Sequence, residues 1–243
     1  MVASTIMAHE QLTSRQVADY LHMDLREVEK LASRGKIPCR RARGDYVFIK
    51  SQVDHWVETR MHELGGDRLA DIERGVSAHH GFEEDERLIC PMIPAGGISV
   101  PLKGRTKAAV IRQLVDLADQ AQMIYDRANM IEQIEKREEL CSTALIPGVA
   151  IPHPRNPLPY DIAASFVIVG LTPSGVPFDA IDGSLTRLFF LICCKDDRTH
   201  LHVLARLGRM LERRENVDAL MQAQDAEELA SLLDEIENKT IGQ

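Results

Sequence analysis

Between residues 11 and 61 the apolar positions fall into two short helical clusters. Val17, Ala18, Tyr20 and Leu21 form one, and Leu25, Val28 and Leu31 the next, so two short helices can pack across the corner at His22 and Met23. Each cluster follows a start signal: Thr13-x-x-Gln16 is a capping box, and Asp24-x-x-Glu27 is a close variant. The second helix stops near Gly35. Beyond Ile37-Pro38 an arginine-rich segment leads into Tyr46-Val47-Phe48-Ile49, a β-prone run, with Gly44 suited to a hairpin tip. Ser51 is then expected to cap a third helix, Gln52 to Met61, bearing Val53, Trp56 and Val57.

The pattern changes after residue 61. Residues 62–88 hold Gly65-Gly66, His79-His80 and the acidic run Glu83 to Glu86, with little apolar periodicity except around Leu69 to Ile72, so a domain boundary belongs there. From Ile98 onward strand and helix signals alternate. Ile98 to Leu102 is weakly strand-like, with Pro101 confining it to a sheet edge. Helices are expected over Thr106 to Ala121 and Tyr125 to Glu139, and strands at Val149 to Ile151, Ser165 to Leu171 and Leu188 to Cys193. A long helix runs from Thr199 to Arg214, and Asp225-x-x-Glu228 opens a last one. Interleaved strands and helices predict an α/β sandwich.

Charge sharpens this division. The 243-residue chain carries a net −8, which disfavours wholesale binding to a polyanion. Residues 1–60, however, carry 10 Lys and Arg against 8 Asp and Glu, whereas the remainder carries 19 against 29. Arg34, Lys36, Arg40, Arg41 and Arg43 form a run without an acid, so contact with nucleic acid is expected from that region. No stretch approaches the roughly 18 uninterrupted apolar residues of a membrane helix, and the N-terminus lacks a secretory pattern. These features predict a cytoplasmic protein without membrane insertion. The five cysteines lack CxxC spacing and read as reduced structural thiols. Adjacent His79 and His80 lack the i, i+4 spacing of two ligands on one helix face, and neither a metal nor a cofactor is expected.

The chemistry concentrates in one stretch. Strand Val149 to Ile151 ends at Pro152, which stops further pairing and leaves His153 at a strand end, and Pro154 biases His153 toward extended backbone. On this geometry alone His153 is as readily structural as functional. The longer run Arg137-Glu138, Ser142-Thr143, Gly148, Ala150-Ile151-Pro152-His153 closely resembles the IIA phosphocarrier domains of the bacterial sugar phosphotransferase system. The class is the mannitol/fructose one that includes the nitrogen-regulatory IIA proteins. Gly175-Val176-Pro177-Phe178, Asp182-Gly183 and Thr199-His200-Leu201 extend the match over roughly residues 90–238.

The resemblance implies a C-terminal IIA-type α/β sandwich with a mixed sheet over 89–240, in which His153 accepts a phosphoryl group from the histidine phosphocarrier protein. The protein would then be a phosphotransferase component with a phosphohistidine intermediate. His200 matches the second histidine of the family pocket. Arg137 suits neutralisation of the equatorial oxygens, and Ser142, Thr143 and Arg155 are further phosphate-binding candidates. Independently, neutral imidazole is a good nucleophile near its ordinary pKa of about 6.5. The bland alternatives are an Arg137 paired with Glu138 or Gln133 and a solvent-facing His200; His202 lies off the face of His200. The chain departs from the family at Pro154-Arg155-Asn156-Pro157, where the proline removes an N–H donor and Arg155 adds a cation.

Residues 10–61, by Leu12-Thr13, Val17-Ala18, Gly35-Lys36-Ile37-Pro38, the basic run and Trp56, resemble the excisionase and MerR-like winged helix-turn-helix modules. That resemblance implies DNA contact by Arg26 and Lys30 on the second helix and Arg40, Arg41 and Arg43 on the wing. Two departures bear on it: His22 stands where the family usually has Gly, and Glu27 and Glu29 oppose phosphates. One slightly basic module binds weakly, so a homodimer or a neighbouring protein is expected to add contact. A degenerate module kept for protein contact is the alternative. Together the parts imply a phosphotransferase-system regulatory protein. The alternatives are a phosphocarrier serving a separate IIB partner, or a transcription regulator whose IIA-like domain is not phosphorylated.

Overall fold

The computed structural model describes residues 11–42, 44–60, 68–71, 73–74 and 86–241. Arg43 and the Gly65-Gly66, His79-His80 and Glu83 to Asp85 features of the connecting segment lie outside these residues.

The N-terminal unit runs β1 (Gln11–Thr13), α1 (Ser14–Tyr20), α2 (Leu25–Ser33), β2 (Arg40–Ala42), β3 (Asp45–Ile49) and α3 (Lys50–Arg60). The expected capping box starts α1: Thr13 N–H donates to Gln16 Oε1 (2.8 Å) and Gln16 N–H to Thr13 Oγ1 (3.3 Å). Asp24 caps α2 by accepting from Arg26 N–H at 2.7 Å. The corner between them is tight enough that His22 takes φ +48°, a left-handed conformation that Gly adopts most readily. The wing is an antiparallel pairing of β2 with β3, and β1, which the apolar pattern does not signal, pairs with the other edge of β3. Helix α3 begins at Lys50, so Ser51 falls within the helix instead of capping it.

The C-terminal unit continues β4 (Ile98–Ser99), α4 (Lys107–Gln120), α5 (Arg127–Leu140), β5 (Val149–Ala150), β6 (Phe166–Val176), β7 (Thr186–Cys193), α6 (Asp197–Glu212), α7 (Arg214–Gln222) and α8 (Ala226–Ile241). Its sheet has the order β4-β6-β7-β5, with β6 antiparallel to β7 and both edge strands parallel to their neighbours. The expected edge position of Ile98-Ser99 and the mixed sheet are both present. Helix α5 starts two residues later than the pattern suggests because Asp126 is its cap, accepting from Asn129 N–H. The chain beyond Arg213 forms α7, a helix that the apolar pattern does not separate from its neighbours.

Alternation along β6 and β7 divides the core into two layers. Phe166, Ile168, Phe189 and Leu191 face α4 and α5, whereas Val167, Val169, Phe190 and Ile192 face α6, α7 and α8. Each fully buried Phe or Ile contributes roughly 1.5 to 3 kcal/mol. The second layer continues without a break into the N-terminal unit, through Leu12, Val17, Val28, Phe48, Val53 and Val57. The two units therefore pack on one another. Between them Lys50 Nζ lies 2.9 Å from Asp197 Oδ2, at the start of α6.

The described part of the connecting segment belongs to this core. Residues 68–71 are helical, Leu69 is buried, and Glu73 pairs with Arg206 and, at 2.6 Å, with Arg209. Deeper still, the fully buried Glu237 accepts N–H groups of Leu88, Ile89 and Cys90 at 2.6–2.9 Å and faces Arg206 Nη1 at 3.3 Å. Three amides and a guanidinium satisfy the carboxylate, as burial of a charge requires. Glu73 thus anchors the described part of a segment whose sequence marks it as a linker. All five cysteines are free thiols, and burial pushes Cys193 well above its ordinary value, which makes it inert.

Burial alone would raise the Glu73 carboxyl, but the His202 contact and the Arg206 and Arg209 charges outweigh it and bring its pKa down to about 2. The unfolded chain takes up this proton near pH 4.5 and the native one only near pH 2, so the stabilisation is complete above about pH 4.5 and is lost as pH falls toward 2. It amounts to about 3 kcal/mol. Urea unfolding between pH 7 and 2 checks this: Glu73→Gln is expected to lower stability at pH 7 and to flatten the profile below pH 4.5. Parallel profiles for the two proteins would contradict it.

Candidate functional site

Three elements converge on His153. Gly148, at φ +81°, makes the turn that launches β5, and a Cβ there would come within 2.5 Å of Met221 Cε. Parallel pairing of β5 with β7 brings the C-terminal ends of both strands together. Pro152 still accepts from Ile192 N–H at 3.0 Å, so the chain is held against β7 up to the residue before His153. On the other strand β7 passes directly into α6, whose fourth residue is His200. The two imidazoles consequently meet, with ring centroids 4.9 Å apart.

The ring of His153 is buried and has a fixed orientation. Nδ1 lies 2.7 Å from the carbonyl oxygen of Ile151, and since a carbonyl only accepts, Nδ1 carries the proton. Nε2 then bears the lone pair, and it accepts from Nε–H of Arg137 at 3.1 Å. Arg137 sits in the last turn of α5 and is itself buried; its Nη1 donates to the Cys141 carbonyl at 3.0 Å, covering one of the acceptors a helix end leaves open. Of the alternative partners, Gln133 donates its amide N–H to Asn129 Oδ1 and the Glu138 carboxylate accepts from Thr143 and Lys107.

Glu138 fixes the loop that leads to β5. Its buried carboxylate accepts from Thr143 N–H (2.9 Å), Thr143 Oγ1–H (2.8 Å) and Lys107 Nζ (3.4 Å). The carbonyl of Thr143 in turn accepts from Ile151 N–H at 3.3 Å. Ser142 Oγ–H donates to the Phe178 carbonyl at 2.5 Å and accepts from Ala144 N–H. The hydroxyls of Ser142 and Thr143 are thus engaged in hydrogen bonds that build the loop, whereas Arg137 and His200 contact the His153 ring. Sequence reasoning names Glu138 in the Arg137-Glu138 pair of the family pattern and as an alternative partner of Arg137, and assigns it no role of its own in the site.

A cavity of about 540 Å³ opens beside Arg137 and His200. One wall holds Leu140, Pro154, Arg155 and Asn156; the other is made by the N-terminal unit, through Pro38, Gln52, His55 and Trp56. Arg155 is exposed and lines the mouth. The arrangement brings together a directed lone pair, a guanidinium and a second imidazole, the latter two lining the cavity, with a carbonyl behind the buried His153 ring to hold its remaining proton. It suits a planar or tetrahedral electrophile carrying negative oxygens. Among the described residues no cluster of three or more His, Cys, Asp or Glu could hold a metal. No described helix is long and apolar enough to cross a membrane.

The residues singled out for nucleic acid lie away from this cavity. Arg26 and Lys30 are exposed one turn apart on α2, and Arg40 and Arg41 are exposed on the wing, where Arg41 donates to Tyr46 Oη across the pair at 3.1 Å. Glu27, one of the acids opposing them, lies 3.5 Å from Arg68.

Comparison with known proteins agrees with both parts. Residues 92–236 match the family described as phosphoenolpyruvate-dependent sugar phosphotransferase system, EIIA 2, and residues 12–61 match the helix-turn-helix domain family. A nitrogen regulatory protein of Pseudomonas aeruginosa is 30% identical over 156 residues, covering 63% of this chain and 96% of its own length. The fructose-specific EIIABC component of Bacillus subtilis is 29% identical over 140 residues, covering 57% of this chain, which spans only 22% of that relative. In three dimensions the nitrogen regulatory protein IIA-Ntr of Neisseria meningitidis superposes with a TM-score of 0.54 at 26% identity, over 59% of this chain and 97% of that one.

The hydrogen bond to Ile151 carries a direct consequence. Nitrogen-15 NMR of the His153 ring at neutral pH is expected to show the proton on Nδ1 and a bare Nε2, the minor tautomer of free histidine. A proton on Nε2 would contradict the geometry.

Proposed function

The chain belongs to the phosphoenolpyruvate-dependent sugar phosphotransferase system EIIA 2 family, and from that premise we propose that it is a regulatory protein phosphorylated on His153 by the histidine phosphocarrier protein. Phosphorylation then governs what its helix-turn-helix unit binds. The observation that carries the reading is the lone pair of Nε2, aimed by the Ile151 carbonyl and flanked by Arg137 and His200.

The chemistry follows from those groups. Nε2 attacks phosphorus in line as the phosphorus–nitrogen bond to the donor's imidazole breaks, and that imidazole leaves with the electron pair. The ring of His153 gains positive character, which its Nδ1–H shares with the Ile151 carbonyl. Nε–H of Arg137 passes from the lone pair, which is being consumed, to a phosphoryl oxygen, and His200 donates to another. Arg155 at the mouth adds positive charge where Pro154 withholds an N–H. The product carries nearly two negative charges in a cavity that the N-terminal unit helps to wall, enough to alter a contact between the units. That shared wall favours regulation over simple relay to a separate IIB partner.

Incubation with phosphoenolpyruvate, enzyme I and the phosphocarrier protein is expected to give one acid-labile phosphate per chain, absent from His153→Ala. Arg137→Met, which removes the guanidinium but keeps bulk, is expected to slow the transfer about a hundredfold, as loss of one preorganised donor does. Equal labelling of wild type and His153→Ala would overturn the reading.

For DNA, supported by the exposed Arg26, Lys30, Arg40 and Arg41, retardation of genomic fragments is expected to weaken when Arg40, Arg41 and Arg43 become Ala. The salt dependence should fall by about one unit of slope for each phosphate that is no longer neutralised. Equal retention would leave protein contact as the role of the wing.

A further inference from the structure

We propose that helix α3 of the N-terminal unit and the incoming phosphodonor protein compete for one surface, the rim of the cavity beside His153, and that the Lys50–Asp197 ion pair latches α3 there. The inference rests on His153 as the phosphoryl acceptor and adds how access to it is controlled.

Three observations carry it. First, the cavity has walls from both units: Gln52, His55 and Trp56 of α3 stand opposite Leu140, Arg155 and His200. Leu140, on that rim, is the most exposed leucine of the described residues, at 56%, an apolar group suited to a protein contact. Second, size separates the donors. A space of about 540 Å³ admits a small molecule, whereas a protein donor must lay down a face of roughly 800 Å² and bring its imidazole within about 3.5 Å of Nε2. With α3 seated, that face has nowhere to rest. Third, α3 is held by a defined contact. Lys50 is almost buried, its Nζ 2.9 Å from Asp197 Oδ2, 3.2 Å from Tyr20 Oη and 4.7 Å from the centre of the Tyr20 ring. Asp197 is three residues before His200 on α6, so the latch ties the N-terminal unit to the helix that carries part of the site.

Competition of this kind is reciprocal. Whatever holds α3 on the rim slows the protein donor, and docking of the donor releases α3 together with the helix-turn-helix unit. The same latch therefore couples phosphorylation to whatever the released unit binds.

Two donors distinguish the closed from the open state. Phosphoramidate reaches Nε2 through the cavity: its phosphorus–nitrogen bond breaks as the Nε2–phosphorus bond forms, and the amine takes a proton from solvent and leaves as ammonia. The phosphorylated phosphocarrier protein needs the rim. The quantity read is the ratio of the carrier rate to the phosphoramidate rate in the full chain. In Asp197→Lys, which sets two cations against each other, this ratio is expected to rise about threefold to fivefold, the change that one partly exposed ion pair can produce. The emission of Trp56, the chain's single tryptophan, is expected to shift to the red as α3 leaves the rim. In the swapped pair Asp197→Lys with Lys50→Asp, both are expected to return toward wild type, which separates the latch from any direct effect of a new lysine. An unchanged ratio in Asp197→Lys, or a raised ratio that the swap does not restore, overturns the proposal. Labelling by phosphoramidate alone in every protein also overturns it, because the carrier is then not the occupant. Labelling by neither donor removes the acceptor reading itself.

Discussion

The hydrogen bond from His153 Nδ1 to the carbonyl of Ile151 decides what the site can do. An imidazole is a useful nucleophile only if the nitrogen facing the reactant lacks a proton, and free histidine favours the opposite tautomer to the one found here. Placing an acceptor that cannot donate behind the ring holds the proton of a neutral imidazole on Nδ1. In the proposed phosphorylated product it would also give the positive ring a partner for its remaining proton. A single residue, Pro152, separates His153 from Ile151, and it restricts the backbone that makes this short loop.

The rest of the fold serves to keep that loop in place. Glu138 ties Thr143 to the end of α5, Thr143 ties Ile151, and Ile192 ties Pro152, so the backbone on both sides of the ring is anchored before Arg137 and His200 are added. The parallel pairing of β5 with β7 then explains why residues 47 positions apart in the chain meet at one point. A second anchor works further along α6. There Glu73, Arg206, Arg209 and Glu237 draw the connecting segment and residues 88–90 onto α6 and α8, replacing solvent around buried charges by one another.

Much of this was legible in the chain, for identifiable reasons. The capping box at Thr13, the cap at Asp24 and the start of the last helix at Asp225 are local chemistry, and each appears where its residues require. His153, Arg137 and His200, which the structure brings together, were singled out through a resemblance, and Arg137 could not have been separated from ordinary ion pairing by spacing alone. What stayed hidden depends on long-range contact. Lys50 and Glu73 carry no signal in the sequence because their partners, Asp197 and Arg206, are more than a hundred residues away. Strand β1 is too short to show a period and exists because β3 offers it an edge. Ser142 and Thr143 sit beside the site in sequence, yet their hydroxyls turn into the loop that supports it.

The packing of a helix-turn-helix unit over the cavity of the IIA-type domain means that the proposed change of charge at His153 would occur beside a wall that belongs to the other unit. All of this depends on which ring nitrogen reacts. Phosphorus-31 and nitrogen-15 NMR of the phosphorylated full chain tests it most directly. The account predicts phosphorus bonded to Nε2 of His153 with the proton retained on Nδ1. Phosphorus on Nδ1, or on another residue, would contradict it.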